Sequence, residues 1–242
     1  MLVEHRPDGV VHVVLHGPRT LGAQTPDTWA ALADAAADLP AGTRAVVLRG
    51  SGRAFSTGLD RSVVGLLDEL GRRPPAEVAE QVRAYQAAFT CWRPPGVLTV
   101  AAVGGPAVGA GFQLALACDL RVLADDARLC MREPLLGLVP DLTGTKPLVE
   151  CVGYSRALEI CATTRWVPAE EARDIGLATA VVPADELDDA VADLVAALTA
   201  PVHGAVSETK ALLQTAGRLD LEDQRLAERR AQVRRFRALA GG

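Results

Sequence analysis

The chain has 242 residues, 49% of them apolar and 23% charged, with 25 Lys and Arg against 30 Asp and Glu and a formal charge of −5. That length and balance supply a full buried core and exclude a disordered or low-complexity chain. An acidic total argues against a protein built to neutralise nucleic-acid backbones. Cys91, Cys118, Cys130, Cys151 and Cys161 stand singly without a CxxC pair. The pattern suits buried thiols in a reducing compartment and offers no zinc or other metal set. No basic segment followed by an apolar run opens the chain, and Gly, Pro or charge breaks its apolar stretches, so the reading is a cytoplasmic protein without a membrane span.

In chain order, residues 2–5 and the β-branched run 10–15 predict a hairpin through Pro7-Asp8-Gly9. Thr25-Pro26-Asp27 is a helix start, with Thr25 as cap and Pro26 at the first helical position. Residues 45–48 predict a buried strand with the glycine-rich exit Arg49-Gly50-Ser51-Gly52, residues 76–89 a helix, and residues 97–103 a second strand. Small and apolar residues at 109–117 predict a buried helix, followed by a strand at 120–123. From about residue 155 the text is helical, at 157–162, 169–175, 186–198, 205–215 and 219–237, with a short strand at 178–182. Recurring strand-helix units followed by a helical C-terminal third predict an α/β fold. A dinucleotide fold is disfavoured, because Gly17 and Gly22 are too far apart for G-x-G-x-x-G and no phosphate-binding G-x-x-x-x-G-K-[ST] occurs.

Two glycine-bearing segments carry the chemistry. Residues 50–60, ending Ala54-Phe55-Ser56-Thr57-Gly58-Leu59-Asp60, and residues 104–113, holding Gly109-Ala110-Gly111, each leave a strand with backbone N–H groups free to face a cleft. Two such donors aimed at one oxygen would stabilise a developing oxyanion.

These segments, together with Glu133-Pro134-Leu135-Leu136-Gly137-Leu138-Val139-Pro140 and residues 169–177 leading into Val181-Val182-Pro183, resemble the crotonase superfamily, the enoyl-CoA hydratase/isomerase family. The resemblance covers most of the chain. It implies an α/β spiral of ββα units over residues 1–185 and a helical C-terminal trimerisation region over 186–242, assembling as a homotrimer or a dimer of trimers. It further implies an acyl-CoA thioester as substrate, no separate cofactor, no nucleic-acid or membrane partner, and an oxyanion hole from the N–H groups of Leu59 and Ala110. Around that hole, Ala23, Thr57, Gly58, Asp60 and Gly109 match substrate-binding positions.

Glu133 matches a family acid/base glutamate. The position of a second is Gln113, an amide that can orient water or hold a carbonyl but exchanges no proton near neutral pH. Asp141, eight positions after Glu133, resembles an aspartate of the family's dienoyl-CoA isomerases and offers a second proton carrier; its alternative is a helix cap. The loop at Arg19-Thr20-Leu21-Gly22-Ala23 keeps the alanine of the family's R-N-A-L but not the asparagine. The expected activity is hydration or double-bond isomerisation of an enoyl-CoA. The alternative, resting on Gln113, is a non-catalytic acyl-CoA-binding pseudoenzyme or regulatory protein. The remaining polar residues have plainer readings: Asp119 as a structural acceptor between helix and strand, His12 and His16 at the surface, and the basic last helix as a solvated face.

Overall fold

The N-terminal β-branched runs and the alternation behind them build one large sheet. In the computed structural model, which describes residues 1–6, 8–17 and 19–241, β1 (Leu2–His5) pairs antiparallel with β2 (Val10–Leu15), from Leu2 opposite Val14 to His5 opposite Val11. Pro7 of the expected turn, Pro18 of the next loop and Gly242 lie outside the described residues. α1 (Pro26–Ala37) opens with a reciprocal cap: the Thr28 N–H donates to Thr25 Oγ1 and the Thr25 N–H donates to Thr28 Oγ1. β3 (Ala45–Gly50), α2 (Val64–Leu70), α3 (Pro75–Thr90) and β4 (Leu98–Val103) follow. The chain then runs through β5 (Pro106–Val108), α4 (Ala110–Ala117), β6 (Leu120–Ala124), β7 (Arg128–Cys130), α5 (Thr145–Val152) and α6 (Tyr154–Thr163). It ends with β8 (Val167–Pro168), α7 (Ala169–Asp174), β9 (Ala180–Val182), α8 (Leu187–Thr199), α9 (His203–Ala216) and α10 (Leu221–Ala240).

The large sheet has the order β1-β2-β3-β4-β6-β9 and is parallel beyond the first hairpin. A small sheet, β5-β7-β8, collects the short strands that directly follow β4 and β6. Each of those strand pairs therefore splits between two sheets before the chain turns helical, which gives the ββα winding. From β2 onward both faces of the large sheet are covered and its strands are largely apolar runs, whereas the edge strand β1 is exposed. One face packs Val11, Val13, Val46, Leu48 and Val103 on Trp29, Phe55, Phe89 and Phe112. The other packs Val10, Val47, Val100 and Val122 on Leu187, Val191 and Val195 of α8. Residues 187–199 thus pack with the sheet, and α9 and α10 extend from it. His12, read as a surface residue, is half-buried on β2, and burial lowers its pKa, with Arg6 and Arg49 adding to the shift.

Several short elements are hidden in the sequence. β5 and β7 are three-residue strands within glycine- and Asp-rich text, β8 has two residues, α5 is a single short helix, and α2 lies between the glycine-bearing segment 50–60 and the helix predicted at 76–89. α4 is the centre of the molecule: all eight of its residues are buried. No single helix among the described residues is long and apolar enough to cross a membrane.

Candidate active site

The segment after β3 is held by two isolated parallel bridges. Gln24 pairs with Leu59, through the Gln24 N–H to the Gly58 carbonyl at 2.7 Å and the Asp60 N–H to the Gln24 carbonyl at 2.8 Å. A parallel bridge engages the neighbours of Leu59, so the Leu59 N–H points away from it; that N–H has no hydrogen-bond partner among the described residues. Ser56 pairs with Ala107, through the Ser56 N–H to the Pro106 carbonyl at 3.2 Å and the Val108 N–H to the Ser56 carbonyl at 2.9 Å. The second bridge brings the loop against the start of α4, where the Ala110 N–H is a first-turn donor, likewise without a partner. Gly58 makes the approach possible. Its φ is +81°, and a Cβ there would lie 2.5 Å from the Val108 carbonyl oxygen and 3.4 Å from the Ala110 nitrogen. Two free N–H groups therefore sit on abutting segments, one of them at the positive end of a buried helix.

Glu133 starts the 3₁₀ turn Glu133–Leu136 and is buried, with 9% of its surface exposed. Gln113, on α4, is held in one orientation: its Oε1 accepts the N–H of Leu142 at 2.9 Å and of Gly144 at 3.1 Å. Its Nε2 must then face the other way, and it donates to Glu133 Oε1 at 2.7 Å. Glu133 Oε2 is buried with no partner. Since Oε1 already accepts from an amide, a proton carried by this group resides on Oε2. Burial pushes the Glu133 pKa above the usual carboxylate range and nearby Asp141 adds to the rise, while hydrogen bonds from the backbone and Gln113 oppose it. Burial raises Asp141 as well. Asp141 caps no helix, because α5 begins at Thr145 behind Gly144. Gly109, at φ +50°, passes beneath the carboxyl; a Cβ there would lie 3.2 Å from Glu133 Oε1.

Glu133, Asp141, Leu59, Ala110, Thr57, Gly58 and Gly109 all line one cavity of about 410 Å³. Its charged side chains are Glu133, Asp141 and Arg132. The rest is apolar wall from α1, α2 and α3, including Trp29, Leu66, Leu70, Val82 and Tyr85. Gln113 is behind Glu133 and outside the lining, so it holds a carboxyl rather than water or a substrate carbonyl. Ala23 and Asp60 are also outside it; hydrogen bonding from the Ser62 side chain, and from the Ser62 N–H at 2.8 Å, holds the Asp60 carboxyl below the usual range. Asp119 is the structural acceptor expected of it, taking the Thr99 N–H and hydroxyl and the Lys210 ammonium on Oδ2. Among the described residues no group of His, Cys, Asp and Glu gathers to hold a metal. Sequence reasoning missed Gln24 and Ser56, both fully buried. Ser56 lay inside a recognised motif, whereas nothing in the text marks a loop glutamine as buried.

Two sheets wound by ββα units, with backbone donors and a buried carboxyl lining one largely apolar cavity, define an α/β enzyme fold of the crotonase class. The profile described as enoyl-CoA hydratase/isomerase matches residues 5–239. A "putative enoyl-CoA hydratase" of Thermus thermophilus is 34% identical over 225 residues, covering 92% of this chain and 87% of that protein. The peroxisomal Δ(3,5)-Δ(2,4)-dienoyl-CoA isomerase of Arabidopsis thaliana is 28% identical over 222 residues, covering 88% of this chain and 80% of the relative. The crystal structure of a "putative enoyl-CoA hydratase" from Thermobifida fusca in complex with CoA superposes with a TM-score of 0.93 at 44% identity, covering 100% of this chain and 94% of that one. The chain belongs to the enoyl-CoA hydratase/isomerase family and is an enzyme of that type.

Proposed function

We propose that the protein shifts the double bond of an enoyl-CoA thioester, with the Leu59 and Ala110 N–H groups holding the thioester oxygen and Glu133 and Asp141 moving the proton. The observation that carries this reading is a buried carboxyl, Glu133, and a half-buried one, Asp141, both raised in pKa and both lining one largely apolar cavity. Glu133 Oε2 takes a proton from carbon. The C–H electron pair enters the conjugated system, and negative charge gathers on the thioester oxygen opposite the two donors. Asp141 in its protonated form returns a proton to the carbon at the far end of the shifted double bond, so substrate composition is unchanged and no cofactor is consumed. Raised values bring both groups closer to the operating pH, which suits proton carriers.

The Thermobifida fusca proteins crystallised with CoA and with acetoacetyl-CoA support an acyl-CoA ligand. The dienoyl-CoA isomerase relative supports isomerisation. Hydration is the second reading, favoured by the names of the bacterial relatives; Asp141 would then hold the water, since the Gln113 carbonyl is occupied twice over. Mass spectrometry of enoyl-CoA esters incubated with enzyme in heavy water separates the two. Deuterium on carbon without added water, dependent on Glu133, is the expected result; added water shows hydration, and no change on any ester sinks both.

Assembly into a homotrimer or dimer of trimers is part of the same reading. Exposed apolar side chains on the Glu133 turn, α6 and α10, among them Leu136, Tyr154 and Phe236, support it. A solution mass of one chain by light scattering would overturn it.

A further inference from the structure

A buried chain of hydrogen bonds links the apolar wall of the cavity to the Leu59 donor. The Trp29 Nε1–H donates to Gln24 Oε1 at 2.8 Å, Gln24 Nε2 donates to Ser56 Oγ at 2.9 Å, and the Ser56 hydroxyl donates to the Gly22 carbonyl at 2.7 Å. The Gly58 N–H donates to the same Ser56 Oγ at 3.2 Å. Each direction is forced. An indole nitrogen only donates, so the Gln24 carbonyl faces Trp29 and its amide faces Ser56; the Gly22 carbonyl only accepts, so the hydroxyl proton goes there and leaves the Oγ lone pairs for Gln24 and Gly58.

The two ends of the chain have different neighbours. Trp29 lines the cavity with its ring 4.8 Å from that of Tyr85 and 6.1 Å from that of Phe89 in the core. Gly58 is the residue before Leu59, and the Gln24 main chain also grips the peptides on both sides of Leu59. Ser56 in turn packs against α4, where a Cβ on Gly111 would lie 2.5 Å from its carbonyl oxygen. Gln24 touches neither carboxyl and does not line the cavity. A satisfied buried network of this kind fixes one geometry.

We propose that Gln24 is a positioning residue that ties the Trp29 wall to the Leu59 N–H, so that an acyl chain long enough to seat against Trp29 gains in turnover and not in affinity alone. The inference rests on the oxyanion reading above. Small misplacement of a preorganised donor is costly, and the network is what holds this donor in place.

The test uses acetoacetyl-CoA, whose enolate absorbs in the near ultraviolet, and reads the fraction ionised when bound at fixed pH. Binding of butyryl-CoA, and kcat and KM for short- and medium-chain enoyl-CoA esters, are measured beside it. Gln24→Met removes both side-chain hydrogen bonds at similar volume; Trp29→Phe removes only the indole donor, keeps a ring in the wall, and decides the matter alone if the first variant does not fold. Gln24→Met, which leaves the cavity lining intact, is expected to bind butyryl-CoA as wild type does and to shrink the kcat advantage of the longer ester with its KM unchanged, while in both variants the ionised fraction of bound acetoacetyl-CoA, read at saturation, falls about ten-fold. Wild type that binds acetoacetyl-CoA without ionising it overturns the oxyanion reading and the proposal together. Ionisation by wild type and equally by both variants overturns the role of Gln24 alone.

Discussion

The C-terminal end of α4 is saturated with partners, while at its N-terminal end the Ala110 N–H and Glu133 Oε2 have none among the described residues. Arg93 donates to the carbonyls of Leu116, Ala117 and Cys118, and buried Arg121 donates to those of Ala115, Cys118 and Leu177. Two guanidinium groups thus meet the negative end of the helix dipole. Beside them Lys210 of α9 reaches the Val97 carbonyl at 2.5 Å and Asp119 at 2.6 Å. One end spends its polar groups on holding elements together. The other withholds them, at a cost of about 1–3 kcal/mol for an unsatisfied buried group, which the function proposed above would recover when a reactant binds.

The contrast predicts that function and stability fail at opposite ends. Glu133→Gln should lower turnover by about a thousand-fold or more while the chain still folds, measured by ester conversion and circular dichroism. Retained turnover would sever Oε2 from the chemistry. Asp119→Ala should do the reverse: it strands the Lys210 charge and costs about 3 kcal/mol in urea unfolding, with turnover of the folded protein within about two-fold of wild type. Gly58→Ala falls between, because a side chain at φ +81° against the Val108 carbonyl strains the loop that carries Leu59. A loss of about 2 kcal/mol together with reduced kcat is expected; lost stability with intact kcat would uncouple that loop from the oxyanion donor.

The smallest effect is in pH dependence. Folding raises the Glu133 pKa, so between the unfolded and folded values the native chain holds a proton that the unfolded chain has lost. Wild-type stability contributed by this group therefore rises as pH falls through the folded value, and Glu133→Gln lacks that contribution. The Tm of wild type relative to Glu133→Gln should increase on acidification, by a few degrees at most. Over the same interval the acid limb of kcat/KM should lie above the ordinary carboxylate range, since a base is lost as it protonates. A limb at the ordinary Glu value would break the link between burial and proton transfer.

Much of this site is legible in the text because its parts are backbone-coded. Gly58 and Gly109 mark the two turns and Thr25-Pro26 marks α1, while Glu133 and Asp141 stand out only through the resemblance to the family. Gln113 was visible as a missing acid, but not as the amide that orients Glu133, since that depends on the Leu142 and Gly144 N–H groups arriving from another loop. The short strands β5 and β7 are unreadable for a related reason: three residues carry too little periodicity, and each is a strand only because the other lies beside it.

By itself, the sequence determined the α/β order, the hairpin, the capped first helix and the buried α4, because local propensity and alternating burial act over a few neighbouring residues; Glu133 and Asp141 were picked out only by the family resemblance. Only the tertiary structure decided which polar groups are paired and which are left open. Asp119 and Glu133 are both acids at the edge of α4. One is engaged by Lys210, distant along the chain, and the other keeps an oxygen free. That difference is made by contacts across the fold, where burial turns an unpaired group into a cost and a site.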